Sequence, residues 1–465
     1  TGGGMGGGGV DAGIDAGVDA GPGPCADGVL GTDAGETDVD CGGTCATCDV
    51  ARHCVVHADC QTGRCENDYC VLVSANDAGE PSPTWRYVGL LDLGGGSTIS
   101  SGRRGFVLAR VGERFFIAGG HIIIKSNQVE RVTNQLVTYD APVASHPSPV
   151  TGASVFNPAM SFGRGSAWGG IGPGGGLWVM GGNGGNGTPI TTSESYPAPD
   201  GGWEPRSAIP NNFVNAQTTQ LPDGGLLVAR GGDVLRVYDF DGGFPVVGPT
   251  LPPNADGLAL GDDDTIYAFA NDAMGRAVSR WKRDAGAFQV IGTAPTVRGP
   301  NQVSAVQGAD GRFYVVGGAK TVVEAFTPGA DFARVADTNE EHDIGRAMVG
   351  ADGRIYVFFG YSGSPNNDYG YSMRIEAYGP TLDVSPVAGP RGVTAKLTGD
   401  NFAANAQVKL YWGNPDGGQL LKTTTSSATG TFTNVSVVVP ASGNGPFFAV
   451  DSRARYPAFI PFTVQ

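Results

Sequence analysis

Arginine recurs beside glycine at four points in the middle of the chain: Arg103 and Arg104 in SSGRRG, Arg164 in FGRGS, Arg298 in TVRGP and Arg346 in DIGRA. Guanidinium groups brought together present fixed positive charge and planar donors, which suit a carboxylate-bearing partner such as an acidic peptide or a uronic-acid glycan. The competing use is internal, each Arg bonding to carbonyls of neighbouring segments and holding the fold together. A second set gathers amides and rings. Asn127 and Asn134 lie in and just after HIIIKSNQVERVT, Asn183 and Asn186 in NGGNGTPI, and Tyr361, Asn366, Asn367, Asp368, Tyr369 and Tyr371 in YSGSPNNDYGYS. Amides exchange hydrogen bonds with hydroxyls while aromatic faces cover the apolar side of a sugar. The same residue types are also ordinary turn formers.

Acid–base chemistry has a thinner basis. His121, His146 and His342 fall at unrelated points, Glu340, Glu341, His342 and Asp343 form one acid–base-like group, and Asp262–Asp264 forms one metal-like group. No Gly-Lys-Ser/Thr phosphate loop is present. All eight cysteines, Cys25, Cys41, Cys45, Cys48, Cys54, Cys60, Cys65 and Cys70, lie in one short segment. An even count so confined reads as a disulfide framework made in an oxidising compartment. Zinc held by Cys41, Cys45, Cys48 and Cys54 with His53 or His57 is the rival reading. Asp33, Glu36, Asp38 and Asp40 could hold calcium, but their spacing misses the EF-hand pattern, and a solvated turn is the expectation. No cofactor is expected.

These groups must be positioned by strands. Of 465 residues, 77 are Gly and 31 Pro, while 40% are hydrophobic and 16% charged. That composition disfavours helices and favours an all-β chain with many tight turns. No apolar run reaches the length of a membrane-spanning helix. Residues 1–80 hold 14 acidic and 2 basic side chains, leaving 31 acidic and 28 basic in residues 81–465, so the net charge of −15 belongs mostly to the N-terminal part. A nearly neutral body argues against nucleic acid or anionic lipid as partner.

A repeat sets the fold. A Gly/Asp turn followed by a short apolar run recurs as VGERFFIAGG, GPGGGLWVMGG, LPDGGLLVARGG, GDDDTIYAFAN, GADGRFYVVGG and GADGRIYVFFGY. Equivalent residues Phe115, Leu177, Leu226, Ile266, Phe313 and Ile355 are spaced by 62, 49, 40, 47 and 42, about the length of a four-stranded unit. Later runs such as TTSESYPA, VLRVYDF, TVVEAF and MRIEAYG, then GGWEP, GGFPVVG and GAFQVIG, supply the remaining strands. The pattern resembles the kelch repeat, which implies a six-bladed β-propeller over residues 84–378. The sixth unit lacks a last strand, and Trp85–Leu91 is expected to supply it and tie the ring shut. In such a ring the loops between strands 2 and 3 and between strands 4 and 1 share one face. The long loops of units six, one and two would form a raised rim there, and the 1–2 turn face looks plain. Some propellers that this one resembles are copper radical oxidases. They require a Cys cross-linked to a Tyr, and residues 84–378 contain no Cys.

The flanks differ. Residues 1–24, with DAGIDAGVDAG, read as a flexible tether and resemble the spacers of exported bacterial lipoproteins, which implies a lipid anchor upstream of Thr1. Residues 25–72, with ETDVDCGG and Cys45-x-x-Cys48, resemble a cysteine-rich module of exported bacterial proteins, and residues 73–83 form a linker. Residues 379–465 carry seven short alternating runs and TAKLTGDNF, which resemble the immunoglobulin-like β-sandwiches of bacterial surface proteins. The expected protein is extracellular or cell-surface. It recognises a glycan or an acidic protein segment through Arg104, Arg164, Arg298, Arg346, Asn183, Asn186, Tyr361, Asn366, Asn367, Tyr369 and Tyr371. Self-association as a structural subunit, and polysaccharide cleavage using His342 or Glu341, are the alternatives.

Overall fold

The computed structural model describes residues 36–37, 41, 43–48, 55, 59, 65–66, 69–70, 83–90, 102–124, 129–141, 154–156, 159–197 and, with short gaps and one longer gap at 363–370, residues 201–465. The chain divides into Thr1–Val71 and Leu72–Gln465. Asp33, Asp38, Asp40, Cys25, Cys54, Cys60, Asn127, His146, Asp262, Asn366, Asn367, Asp368 and Tyr369 lie outside the described residues.

In the first unit a disulfide joins Cys41 to Cys48, and Cys45 is also disulfide-bonded. Asp59 is buried and organises the backbone there, accepting from Gly43 N at 3.1 Å and Val55 N at 2.8 Å. Cys65–Glu66 pairs antiparallel with Tyr69–Cys70.

The second unit is all-β among the described residues and propeller-like, built from small antiparallel sheets. Sheet 1 contains Val107–Val111, Arg114–Ala118, Leu136–Asp140 and Ser154–Phe156; sheet 2 contains Trp168–Ile171, Leu177–Met180, Ser193–Tyr196 and Glu204–Arg206. Sheet 3 runs from Gln217–Gln220 through Leu226–Ala229 and Val234–Tyr238 to Val246–Thr250. Sheet 4 runs from Ala255–Leu260 through Ile266–Ala270 and Ala277–Trp281 to Gln289–Thr293. Sheet 5 comprises Ser304–Gln307, Phe313–Val316, Glu324–Phe326 and Phe332–Arg334, and sheet 6 begins with Arg346–Val349, Ile355–Phe358 and Arg374–Tyr378. Each is a meander in chain order, which short hairpin turns allow.

The second strands explain the repeated apolar runs. LWVM, LLVA, IYAFA, FYVV and IYVF are buried at every position, because sheets pack on both of their faces. One apolar cluster lies between each pair of successive sheets. A further cluster, with Phe106, Phe115 and Tyr139 against Tyr356 and Phe358, joins sheet 6 to sheet 1. The first strands touch one another in the same order, the sixth touching the first.

Sheet 6 takes its last strand from far away in the chain. Trp85–Leu90 pairs antiparallel with Arg374–Tyr378, Trp85 opposite Tyr378. Trp85 is buried, packs tilted against the Tyr378 ring at 5.3 Å and donates its indole N–H to Ala336 O at 2.7 Å.

After Tyr378 the chain forms a three-stranded sheet (Thr381–Ser385, Thr394–Asp400, Phe432–Val438) and a four-stranded one (Gln419–Thr425, Gln407–Trp412, Phe447–Asp451, Ala458–Ile460) over one shared core. This region grips the six-sheet body. Asn401 accepts from Thr84 N and Oγ1, and Asp400 pairs with Arg86. Tyr456 is fully buried and donates to Gly353 O at 2.6 Å, its ring against Tyr314 and Tyr378. The turns at 308–312 and 350–354, on the face that reads as plain in sequence, carry this contact. Their Asp, Arg and Tyr form matched networks, Asp310–Arg312–Tyr314 and Asp352–Arg354–Tyr356.

Trp85→Ala removes a buried indole from the strand that completes sheet 6. It should lower unfolding stability by about 3–5 kcal/mol, read from urea denaturation; a loss below about 1 kcal/mol would show that the strand is dispensable.

Candidate functional site

Three of the arginine motifs are structural, and the expectation that Arg164 and Arg298 face a ligand is corrected. Arg103, Arg164 and Arg298 are 0%, 0% and 2% exposed. Each bonds inside its own sheet, to the carbonyl of the glycine that follows strand 2 and to a carbonyl leading into strand 3. Arg103 reaches Gly119 O and Gln135 O, Arg164 reaches Gly181 O and Thr192 O, and Arg298 reaches Gly317 O and Val322 O. Burial lowers the Arg164 pKa and pulls Arg103, whose acceptors are neutral, down to about 10. The reason is geometric. Gly119, Gly181 and Gly317 have φ of +68°, +62° and +83°, so the 2–3 loop leaves strand 2 in the left-handed region and turns carbonyls inward that need a donor.

The fourth member of this set is His342, not Arg346. His342 is 2% exposed; Nδ1 lies 2.6 Å from Phe359 O, the carbonyl equivalent to Gly119, Gly181 and Gly317, and Nε2 lies 2.9 Å from Glu376. Acid–base work by His342 at an open face is therefore corrected as well. Glu340 pairs with Arg374, and Asp343 accepts from Gly318 N.

The cations answer three buried carboxylates. Glu194, Glu324 and Glu376 sit at one register position, opposite Val179, Val315 and Val357. Glu194 takes Arg164 at 2.9 Å, Glu324 takes Arg298 at 3.0 Å and Glu376 takes His342. Glu194 also accepts from Ser161 N, and Glu376 from the backbone N–H of Asn339 and Glu340, so each ties the loop entering its sheet to strand 3. The sequence signal is Glu followed two residues later by Tyr or Phe, in SESY, VEAF and IEAY. Sheets 1, 3 and 4 carry Val137, Arg236 and Ser279 at that register position.

Arg104 is different. It is half-buried at the mouth of sheets 6 and 1, its Nε donating to Tyr371 Oη at 2.8 Å and its NH2 to Glu130 at 2.6 Å. His121 Nδ1 lies 2.7 Å from the same carboxylate oxygen. Glu130 is placed by a hairpin that reads as a loop in the sequence. His121–Ile124 pairs with Val129–Val132, so Glu130 lies opposite Ile123 and diagonal to His121 on one face. His121 is itself bridged to Arg104 and packs against Gly165, where a side chain would meet the imidazole at 2.2 Å. Tyr361, 45% exposed, bridges to Asp343 and Tyr371 and sets its ring edge-on to Tyr371 at 6.2 Å. The rim thus gathers Arg104, His121, Glu130, Tyr371 and Tyr361. Sequence reading singles out Arg104 and both tyrosines and misses the His–Glu pair, whose alternation across HIII and VERV is its only trace.

Electrostatics tightens this cluster. The His121 hydrogen bond, reinforced by the Arg104 charge, holds the Glu130 carboxyl down to about 2 against the opposing effect of burial. Burial works against the charge of Arg104, but its Tyr371 and Glu130 acceptors outweigh it and raise the pKa; burial raises that of Tyr371. Asn183 and Asn186 serve loop geometry: Asn183 bridges to Gly165 and Pro189, and Asn186 Oδ1 accepts from Thr188 N at 3.0 Å.

Arg346 stands apart. It is partly buried on the first strand of sheet 6 and donates to Gln217 Oε1 on the first strand of sheet 3 at 3.2 Å. Below that bond, the first strands of all six sheets line a cavity of about 690 Å³.

Two outcomes follow. Arg164→Met should cost about 3–5 kcal/mol by stranding a buried carboxylate, and adding Glu194→Gln should recover part of that loss in urea denaturation; full additivity would contradict the pairing. Glu130 is depressed in the folded state, so its stabilisation is complete above its ordinary value of 4.5 and fades as pH falls towards 2. The difference in denaturation midpoint between wild type and Glu130→Gln should shrink over that window, and a pH-independent difference would contradict the assignment.

No family model matches the chain, and no curated protein matches it. Among solved structures it is similar to a novel fungal alcohol oxidase of the AA5 family in complex with copper. That likeness has 16% identity and a TM-score of 0.44 over 77% of this chain and 85% of that one. It is also similar to the solved structure of YjhT, at 11% identity and a TM-score of 0.45 over 61% of this chain and 96% of that one.

Proposed function

We propose that this is an exported, surface-associated recognition protein, and that its six sheets are the blades of a closed, kelch-like propeller bearing an immunoglobulin-like sandwich. The order of inter-sheet contacts and the single cavity shared by all six first strands support closure. The Cys41–Cys48 disulfide supports an oxidising compartment. Among the described residues no helix is long and apolar enough to cross a membrane.

The ligand class the rim favours is a glycan. One observation carries this reading: a half-exposed tyrosine ring, Tyr361, stands edge-on to Tyr371 beside the Arg104–Glu130–His121 hydrogen-bonded group. A ring face next to fixed donors and acceptors suits a sugar, whose apolar face stacks while its hydroxyls exchange hydrogen bonds. The acidic-segment alternative loses three of its four carriers at this face, since Arg164 and Arg298 are buried against their own carboxylates and Arg104 already holds Glu130. The charge of the cluster is internally neutralised, which favours a neutral polyol over an anion.

The test is a glycan array with the full-length chain, followed by calorimetry on the hits. Saturable binding that falls at least about tenfold in Tyr361→Ala, with unchanged circular dichroism, is the expected result. An empty array, or hits that Tyr361→Ala and Glu130→Gln bind as well as wild type, would overturn the reading.

A further inference from the structure

The bore offers a second site, independent of the rim. Its cavity of about 690 Å³ falls in the range of small-molecule pockets. Gly172, Leu221 and Gly224, from turns between first and second strands, line its wide end. The walls are mostly apolar and small, with Ala109, Ala259, Ala305 and Met348 among them. At the other end the bore narrows to a space of about 50 Å³ lined by Phe106, Trp168 and Arg346.

Arg346 crosses the bore there. Sheets 6 and 3 are opposite in the order of contacts, so the Arg346–Gln217 hydrogen bond spans the channel and makes its floor. That partner is neutral, and among the described residues no carboxylate lies at ion-pair distance from Arg346. The lining of both spaces includes Arg110 and Arg346 and no Asp or Glu. Burial lowers the Arg346 pKa and outweighs the attraction of the buried Asp256 carboxylate on the first strand of sheet 4, so much of the hydration of this cation is removed. The sandwich grips the same face of sheets 5 and 6, yet none of its residues lines the cavity.

We infer that the bore is a blind pocket, entered from the 1–2 turn face, for an organic carboxylate with an apolar body, its head on Arg346 and its tail along the first strands. A partly buried guanidinium whose hydrogen-bond partner is a neutral amide gains a charge-assisted hydrogen bond from a carboxylate, and a carboxylate has two oxygens for its planar fork. An apolar tail is stabilised by the small aliphatic wall. The four-residue first strands of sheets 2, 3, 5 and 6, at ~3.3 Å per residue, make a bore about 13 Å deep, room for a medium-length alkyl chain. The glycan reading concerns the opposite face, and neither depends on the other.

The test is calorimetry of the full-length chain with decanoate, decanol and decyltrimethylammonium. Decanoate should bind saturably at one per chain, at least about tenfold tighter than decanol, and the cation should not bind. Arg346→Met should reduce decanoate to the level of decanol, Arg346→Lys should retain part of the preference, and Ala305→Phe, which fills the bore, should abolish both. Tyr361→Ala should leave decanoate binding unchanged. Absent decanoate binding, equal affinity for decanol, or full affinity in Arg346→Met or Ala305→Phe would each overturn the proposal. The comparison of decanoate with decanol in wild type decides the matter even if a variant fails to fold.

Discussion

The pairing of Trp85–Leu90 with Arg374–Tyr378 is the constraint on which the rest depends. Almost every other strand contact in the six-sheet body is between neighbours in sequence, and such contacts form meanders that leave edges exposed. This one joins residues about 290 apart and completes the last sheet with the first strand. The same segment is gripped by the C-terminal region through Asn401 and Asp400. One stretch of eight residues, from Pro83 to Leu90, therefore both completes sheet 6 and supplies part of the grip on the C-terminal sheets, the rest coming from Tyr456. Its loss of backbone freedom is offset by the buried Trp85 indole and by a ladder of backbone hydrogen bonds.

Within the sheets a second device recurs. The left-handed turn after strand 2 points carbonyls inward, a cation from the entering loop satisfies them, and a carboxylate on strand 3 answers the cation. Arg164 with Glu194, Arg298 with Glu324 and His342 with Glu376 are three versions. Removing either partner leaves a buried charge, which is why such pairs persist although an apolar replacement of both can be as stable. Backbone bonds then link sheets: Gly120 N donates to Arg164 O and Gly360 N to Arg103 O, each crossing to the next sheet. Gly318 N likewise reaches the Asp343 carboxylate in the loop entering sheet 6, whereas Gly232 N stays within sheet 3 on Leu251 O.

Much of this was legible in the sequence. The apolar runs at intervals near 48 residues located all six second strands, because a strand buried on both faces must be apolar throughout. Trp85–Leu91 stood out as a strand without a sheet beside a sheet without a strand. The arginines were located, but spacing could not say which way each side chain turns. Arg346 shares its glycine neighbour with Arg164, yet it stands four residues later in the register, at the start of a first strand, where Trp168 stands in sheet 2. His342 looked catalytic because burial is invisible in a string of letters. The His121–Glu130 pair was missed because its partners belong to a hairpin inside what reads as a loop, and their meeting depends on strand register.

The proposed glycan rim and the proposed carboxylate pocket differ in kind, one a polar group of paired side chains with a tyrosine ring, the other a mostly apolar cavity. Both need the six sheets held in a fixed arrangement, which the account assigns to the N-terminal strand. Native-state hydrogen exchange of the Trp85–Leu90 amides tests that assignment most directly. Protection equal to that of Ile355–Phe358 and Val107–Val111, lost in one cooperative transition with them, is the predicted result. Exchange of the N-terminal strand at far lower free energy, with the other strands still protected, would contradict it.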